Sequence, residues 1–327
     1  MILAGDVGGT KTILGLFHRR GGNLTPVAVS RFATPEFPSL EAMIAAFVPA
    51  GIRLEGACLG LPGAAVEGAA ELTNVGWTVS HAQLRRNLGL AHAVFLNDLE
   101  AMAHGIAALQ PHQVLTLNLG RPTAAANAAL IAAGTGLGEA VLYWNGRERV
   151  PAACEAGHAD FAPRNGIEMG FLAWLLDRRG GPVSWDMVLS GRGLVDVYHY
   201  LRDSGQATQS PDMTRQMEEA DPAAVIAREG LAGRNPLCVA SLELFANLYG
   251  AEAGNLALRS LALGGVWVGG GIAAKLAPTL RDGGFLRAFT NKHRLSALLR
   301  DVPVHLILEE TTALLGAARV AAAQGRG

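Results

Sequence analysis

Two glycine-rich turns and a few polar side chains are the residues of this chain best suited to chemistry. Asp6-Val7-Gly8-Gly9-Thr10 follows directly on the apolar run Ile2-Leu3-Ala4-Gly5, and Gly134-Thr135-Gly136-Leu137-Gly138 ends a second apolar run. Glycine lets backbone N–H groups approach an anion closely and adopt positive φ. Threonine adds a hydroxyl donor, and Asp6 is of the type that holds magnesium directly or through its waters. The pair suits the phosphates and metal of one nucleotide. Neither turn fits G-x-x-x-x-G-K-[ST] or G-x-G-x-x-G, which excludes a P-loop and a dinucleotide fingerprint. Taken singly, each also reads as an ordinary hairpin.

Asn97-Asp98-Leu99-Glu100 lies where an apolar strand meets a helix. Asp98 there could act as a general base with Asn97 as a polar clamp, or the segment could simply cap the helix. Glu155-Ala156-Gly157-His158 has E-x-x-H spacing. Its readings are a pair of hydroxyl ligands for a polyol, a satisfied structural pair, or a metal pair. The glycine and the following Pro163 speak against a helix holding both side chains on one face, and no cysteine pair supplies further ligands. Asp160 reads as a turn residue. Gly264-Gly265-Val266-Trp267-Val268-Gly269-Gly270-Gly271 is a strand set in glycines, open to a flat adenine and its ribose or to a tight strand-to-helix turn.

The elements that must position these residues follow from the apolar pattern. At 327 residues, half hydrophobic and with 41 glycines, the chain is long enough for two domains or one large domain with a cleft. A net charge of −1 gives no basic field for nucleic acid or anionic lipid. No apolar run is long enough to span a membrane, and the first residues read as a buried strand, not a signal peptide. The widely separated Cys58, Cys154 and Cys238 form neither a metal knuckle nor a disulfide framework, so a reduced, cytoplasmic enzyme is expected. Ile2–Asp6, Thr12–His18 and Leu24–Phe32 are predicted to form an antiparallel meander, followed by alternating helices and strands. Ser80-His81-Ala82-Gln83 reads as a capping box opening a helix over 82–88. A second strand group is expected from Val114–Leu119, Ala129–Ala133 and Glu139–Trp144. Helices dominate from Gly166 to Leu263, with 236–262 apolar around most of its face. The polar stretch 202–221 reads as an exposed loop or a solvated helix face. Two similar halves suggest an internal duplication, with a boundary near Gln110-Pro111. Residues 1–110 would form a small α/β domain completed by the last helix, about 312–327, and 111–311 a large one.

Taken in order, Gly5-Asp6-Val7-Gly8-Gly9-Thr10, Gly60-Leu61-Pro62-Gly63, Thr73-Asn74 with Trp77, Asn97-Asp98 and Gly134–Gly138 form a series. It continues with Glu155-Ala156-Gly157-His158-Ala159-Asp160-Phe161-Ala162-Pro163, Leu189-Ser190-Gly191-Arg192-Gly193-Leu194 and Gly264–Gly271. This series resembles the bacterial glucokinase family of the hexokinase/actin-like phosphotransferase superfamily, over essentially the whole chain. The E-x-G-H-x-D-F-A-P segment is its specific motif. The resemblance implies two ribonuclease-H-like (actin-like ATPase) α/β domains, with ATP and sugar in the cleft between them, and a homodimer. It implies that Asp98 takes the proton from the glucose 6-hydroxyl, and that Asn74, Asn97, Glu155 and His158 hold the sugar. It further implies that Asp6 is the magnesium-linked carboxylate. Gly8, Gly9, Thr10 and Lys11 would form the first phosphate loop, Gly134, Thr135 and Gly136 the second, and Gly270 and Gly271 the adenosine region.

Two positions depart from the family pattern. Asp186 stands where a sugar-binding glutamate is usual, so the resemblance implies a further sugar ligand there, but one methylene shorter, its contact longer, water-mediated or lost; locally it also reads as a cap before Met187-Val188-Leu189. Lys11 stands where asparagine is common. Lysine there is similar to the repressor/open-reading-frame/kinase relatives, but their cysteine-rich zinc motif does not follow His158, so no zinc is expected. Rival readings are a kinase for another hexose or an N-acetylated amino sugar, a non-catalytic sugar sensor, and an assembling actin-like ATPase. The sensor would want a DNA-binding helix-turn-helix, and the ATPase would have no need of the Glu155–His158 segment.

Overall fold

The computed structural model describes residues 1–20, 23–63, 69–72, 75–90, 92–205 and 209–324. The chain divides into one unit formed by Met1–Pro111 with Glu309–Gly327, and a second formed by His112–Leu308.

In the first unit, strands β1 (Ile2–Val7), β2 (Lys11–Arg20) and β3 (Asn23–Ala33) form the expected meander, joined by β4 (Gly56–Leu61). A hairpin of β5 (Ala69–Leu72) and β6 (Trp77–Ser80) stands apart, and β7 (Ala93–Asn97) completes the main sheet. The order is β3-β2-β1-β4-β7, with β1, β4 and β7 parallel. β1 and β4 are near-continuous apolar runs because both of their faces are covered. Helices α1 (Leu40–Phe47) and α2 (His81–Leu88) lie in this unit, with α3 (Asp98–Gly105) directly after β7. One core gathers Leu3, Leu14, Leu59 and Phe95; the other sets Ile2, Ala4 and Cys58 against Leu314, Ala317 and Ala321 of the C-terminal helix Thr312–Gln324. The capping box at Ser80 does not form. The Ser80 side chain makes no cap, while the neighbouring His81 Nε2 accepts the Phe95 amide at 3.0 Å.

The second unit repeats the strand plan. Its sheet contains β8 (Val114–Asn118), β9 (Ala128–Ala133), β10 (Leu137–Trp144), β11 (Arg149–Cys154), β12 (Val266–Gly269) and β13 (Val304–Ile307), in the order β11-β10-β9-β12-β13-β8. The three strands of the expected second group all lie in this sheet, but the antiparallel run is β9-β10-β11, whereas Val114–Asn118 pairs antiparallel to β13 at the opposite edge. Helices α4 (Gly166–Arg179), α5 (Trp185–Val188), α6 (Gly191–Asp203), α7 (Pro211–Glu219), α8 (Pro222–Leu231) and α9 (Pro236–Ser260) separate β11 from β12. The apolar α9 is buried along most of its length, as a helix hydrophobic all round must be. Within the polar stretch 202–221, α7 is a largely solvated helix with Met213 buried.

Candidate active site

In the first unit the candidate residues gather at the carboxyl ends of the three parallel strands, where open α/β sheets bind ligands. Asp6 is the penultimate residue of β1, and Asp98 opens α3 immediately after β7. Gly60 of β4 lets them come together. A Cβ on Gly60 would stand 3.0 Å from that of Ala101 and 3.6 Å from the Asp98 Cα, so any larger residue would push α3 away. Burial pushes the Asp6 carboxyl up to about 6, the neighbouring Asp98 charge adds to the rise, and Lys11 opposes it. Two neighbouring carboxylates in a partly buried site are donors of the type that suits a divalent cation.

Asn97 is the cap that the local sequence allows. Its Oδ1 accepts the amides of Leu99 at 2.9 Å and Glu100 at 3.3 Å, while its Nδ2 donates to the Gly63 carbonyl at 3.2 Å. The cap fixes the first turn of α3, and so the backbone of Asp98, whose Oδ1 also accepts the Leu99 amide at 2.8 Å. Capping by Asn97 is compatible with Asp98 as a candidate base, because the cap fixes the backbone that carries it.

The first glycine turn is a hairpin closed by the Gly8 amide donating to the Lys11 carbonyl at 3.0 Å, so that amide is committed. The amides of Gly9 and Thr10 make no hydrogen bond among the described residues. Thr34 buttresses the turn. Its hydroxyl donates to the Gly8 carbonyl at 2.7 Å and meets the Thr12 hydroxyl at 2.9 Å, and its amide donates to the Thr10 carbonyl. No motif signals Thr34; only the pairing of β2 with β3 brings it there. Lys11 sits 3.8 Å from Glu310, which also meets Arg31 at 3.0 Å, an exposed and therefore weak cluster. Asn74 lies outside the described residues.

The second unit assembles its own set. The Gly134 amide donates to the Gly136 carbonyl at 2.8 Å, and those of Thr135 and Gly136 make no hydrogen bond among the described residues. Gly270, at φ +87°, packs on the Ala133 carbonyl so closely that a Cβ has no room, while Gly271 faces open space. The adenosine candidates therefore abut the phosphate candidates. Buried Tyr249 of α9 ties them together, accepting the Ala133 amide at 3.0 Å and donating to the Gly269 carbonyl at 3.1 Å. Nothing in the local sequence singles out this tyrosine.

Glu155 precedes and His158 ends a 3₁₀ turn, Ala156–His158, with Glu155 Oε2 and His158 Nε2 3.9 Å apart and both side chains about two-thirds exposed. They present a carboxylate and an imidazole side by side, a good clamp for adjacent hydroxyls. Among the described residues no cluster of three or more metal-ligating side chains includes them. Gly157 is buried against the Leu137 carbonyl, which joins this segment to the second glycine turn. Asp186 accepts the Leu137 amide at 2.7 Å, a partner not foreseen in the sequence.

The glucokinase family model matches residues 3–324. A glucokinase of Nostoc punctiforme is 38% identical over 337 residues, covering 98% of this chain and 99% of that protein. The crystal structure of a glucokinase from an Antarctic psychrotroph superposes with a TM-score of 0.85 at 27% identity, covering 98% of each chain. A ROK-family glucokinase of Streptomyces griseus, solved with glucose and AMPPNP, has a TM-score of 0.66 at 21% identity, covering 98% of this chain and 99% of that one. These likenesses show the two-domain, actin-like ATPase fold.

Proposed function

The chain belongs to the glucokinase family, and we propose that it transfers the γ-phosphoryl group of ATP to the 6-hydroxyl of glucose. ATP-dependent phosphorylation of glucose is the activity of the relatives it matches end to end. The observation that carries the residue assignment is the pairing of Asp6 and Asp98 at the ends of parallel strands, one carboxylate for the metal and one for the hydroxyl.

Phosphoryl transfer asks a protein mainly for position and charge neutralisation. Asp98, set by the Asn97 cap, accepts the proton of the 6-hydroxyl as its oxygen bonds to the γ-phosphorus and ADP leaves. Asn97, Asn74, Glu155 and His158 hold the ring hydroxyls. The amides of Gly9, Thr10, Thr135 and Gly136 hold phosphate oxygens, with Lys11 at the edge of the first turn. Gly270 and Gly271 leave room for adenosine. Magnesium, held by Asp6 together with the nucleotide, supplies neutralisation of the phosphate charge. The working form is proposed to be a homodimer in the cytoplasm, where the free Cys58, Cys154 and Cys238 suit a reducing compartment.

A panel of glucose, mannose, fructose and N-acetylated amino sugars, assayed with magnesium and ATP, tests the reading. Glucose is expected to give the highest kcat/KM, with phosphate on its 6-oxygen. Preference for another sugar would move the assignment to that hexose, and phosphorylation of none would refute it.

A further inference from the structure

Resting on the assignment of the second glycine turn to the nucleotide phosphates, we propose that Asp186 is a positioning residue that sets the shape of this turn and leaves the sugar untouched. Asp186 Oδ1 accepts the Leu137 amide at 2.7 Å and fills the space that a Cβ on Gly136 would need. Leu137 is therefore held on both sides: Asp186 accepts its N–H, and Gly157 packs against its carbonyl. The turn is also tied behind, since the Gly191 amide donates to the Gly134 carbonyl at 3.0 Å.

Asp186 is well anchored for this task. It rides on α5 between the buried Trp185 and Val188, and the Trp185 amide donates to the Ala159 carbonyl at 3.0 Å. The helix does not need Asp186 as its cap, because Ser184 is the N-cap and its Oγ accepts the Met187 amide. A glutamate here would carry its carboxylate one methylene past the Leu137 amide. The shorter acid is matched to the turn, whose Thr135 and Gly136 amides it leaves available to phosphate.

The test compares Asp186→Ala, Asp186→Asn and Asp186→Glu with the parent chain. It measures binding of AMPPNP with magnesium by calorimetry, without sugar, alongside KM for ATP and for glucose. Loss of a hydrogen bond to a charged group predicts that Asp186→Ala weakens AMPPNP binding and raises KM for ATP by about tenfold or more. KM for glucose should stay unchanged. Asp186→Asn, which keeps an oxygen acceptor, should recover most of the loss, and Asp186→Glu should resemble the alanine variant. Should the alanine variant fail to fold, the asparagine and glutamate variants carry the same comparison. A changed KM for glucose with nucleotide binding intact, or no change in any parameter, would overturn the proposal. Failure of the parent chain to phosphorylate any hexose would defeat the broader functional reading instead, and the AMPPNP comparison would still decide the role of Asp186.

Discussion

Burial of Asp6, and after it the neighbouring Asp98 charge, opposes ionisation of its carboxyl, which is pushed up from 3.8 to about 6. Below 3.8 the group is protonated in both folded and unfolded chains and has no effect on stability. Between the two values the unfolded chain ionises first, so stability falls as pH rises, and above about 6 the full penalty is present. The displacement corresponds to about 3 kcal/mol at most. Asp6→Asn should therefore raise the melting temperature in magnesium-free buffer more at pH 7.5 than at pH 4.5, while abolishing turnover. An equal gain at both pH values would show that Asp6 carries no such strain. A site that trades stability for charge in this way is expected of a metal-and-base pair.

At the scale of elements, α3 and the C-terminal helix cross at two glycines. A Cβ on Gly316 would run into the Ala101 carbonyl, and one on Gly105 into the Thr312 carbonyl. Because α3 carries Asp98 at its first position, Gly316→Ala should move the proposed base as well as loosen the packing. The expected result is a loss of about 1–3 kcal/mol in stability, in the usual range for overpacking, together with a lower kcat. Unchanged melting temperature and kcat would mean that the two helices separate freely. Elements of this kind were legible where the signal is local. Apolar runs marked β1, β4 and β9, and Asn97 with Glu100 marked the cap of α3. Arg149–Cys154 was missed because it holds Pro151 and no alternating pattern, which an edge strand tolerates. The placement of β8 beside β13 depends on long-range pairing that no window of sequence contains. Thr34, Tyr249 and the Leu137 partner of Asp186 were hidden for the same reason, since each acts on a segment far away in the chain.

Across the whole molecule, each unit places three antiparallel strands before two parallel ones, in the orders β3-β2-β1-β4-β7 and β11-β10-β9-β12-β13. Both units present a glycine turn after the first strand of the motif, between β1 and β2 and between β9 and β10, so the repeat of the strand plan extends to the candidate turns. Cys58 and Cys238 are buried, and no cluster of three or more metal-ligating side chains occurs among the described residues. Because Cys58, Cys154 and Cys238 lie too far apart in the sequence for a zinc motif, elemental analysis should find no stoichiometric zinc, with magnesium required only alongside nucleotide; one tightly held zinc per chain would contradict this. The central claim is that Asp98 is the base of an ATP-dependent glucose kinase. It is tested most directly by steady-state phosphorylation of glucose by the parent chain and by Asp98→Asn, with glucose binding and melting temperature measured on both. A positioned base is worth about 10²–10⁴-fold, so the variant should bind glucose and melt as the parent does while losing at least about a hundredfold in kcat. Near-parental turnover by Asp98→Asn would contradict the account and leave Asp98 as no more than part of the start of α3.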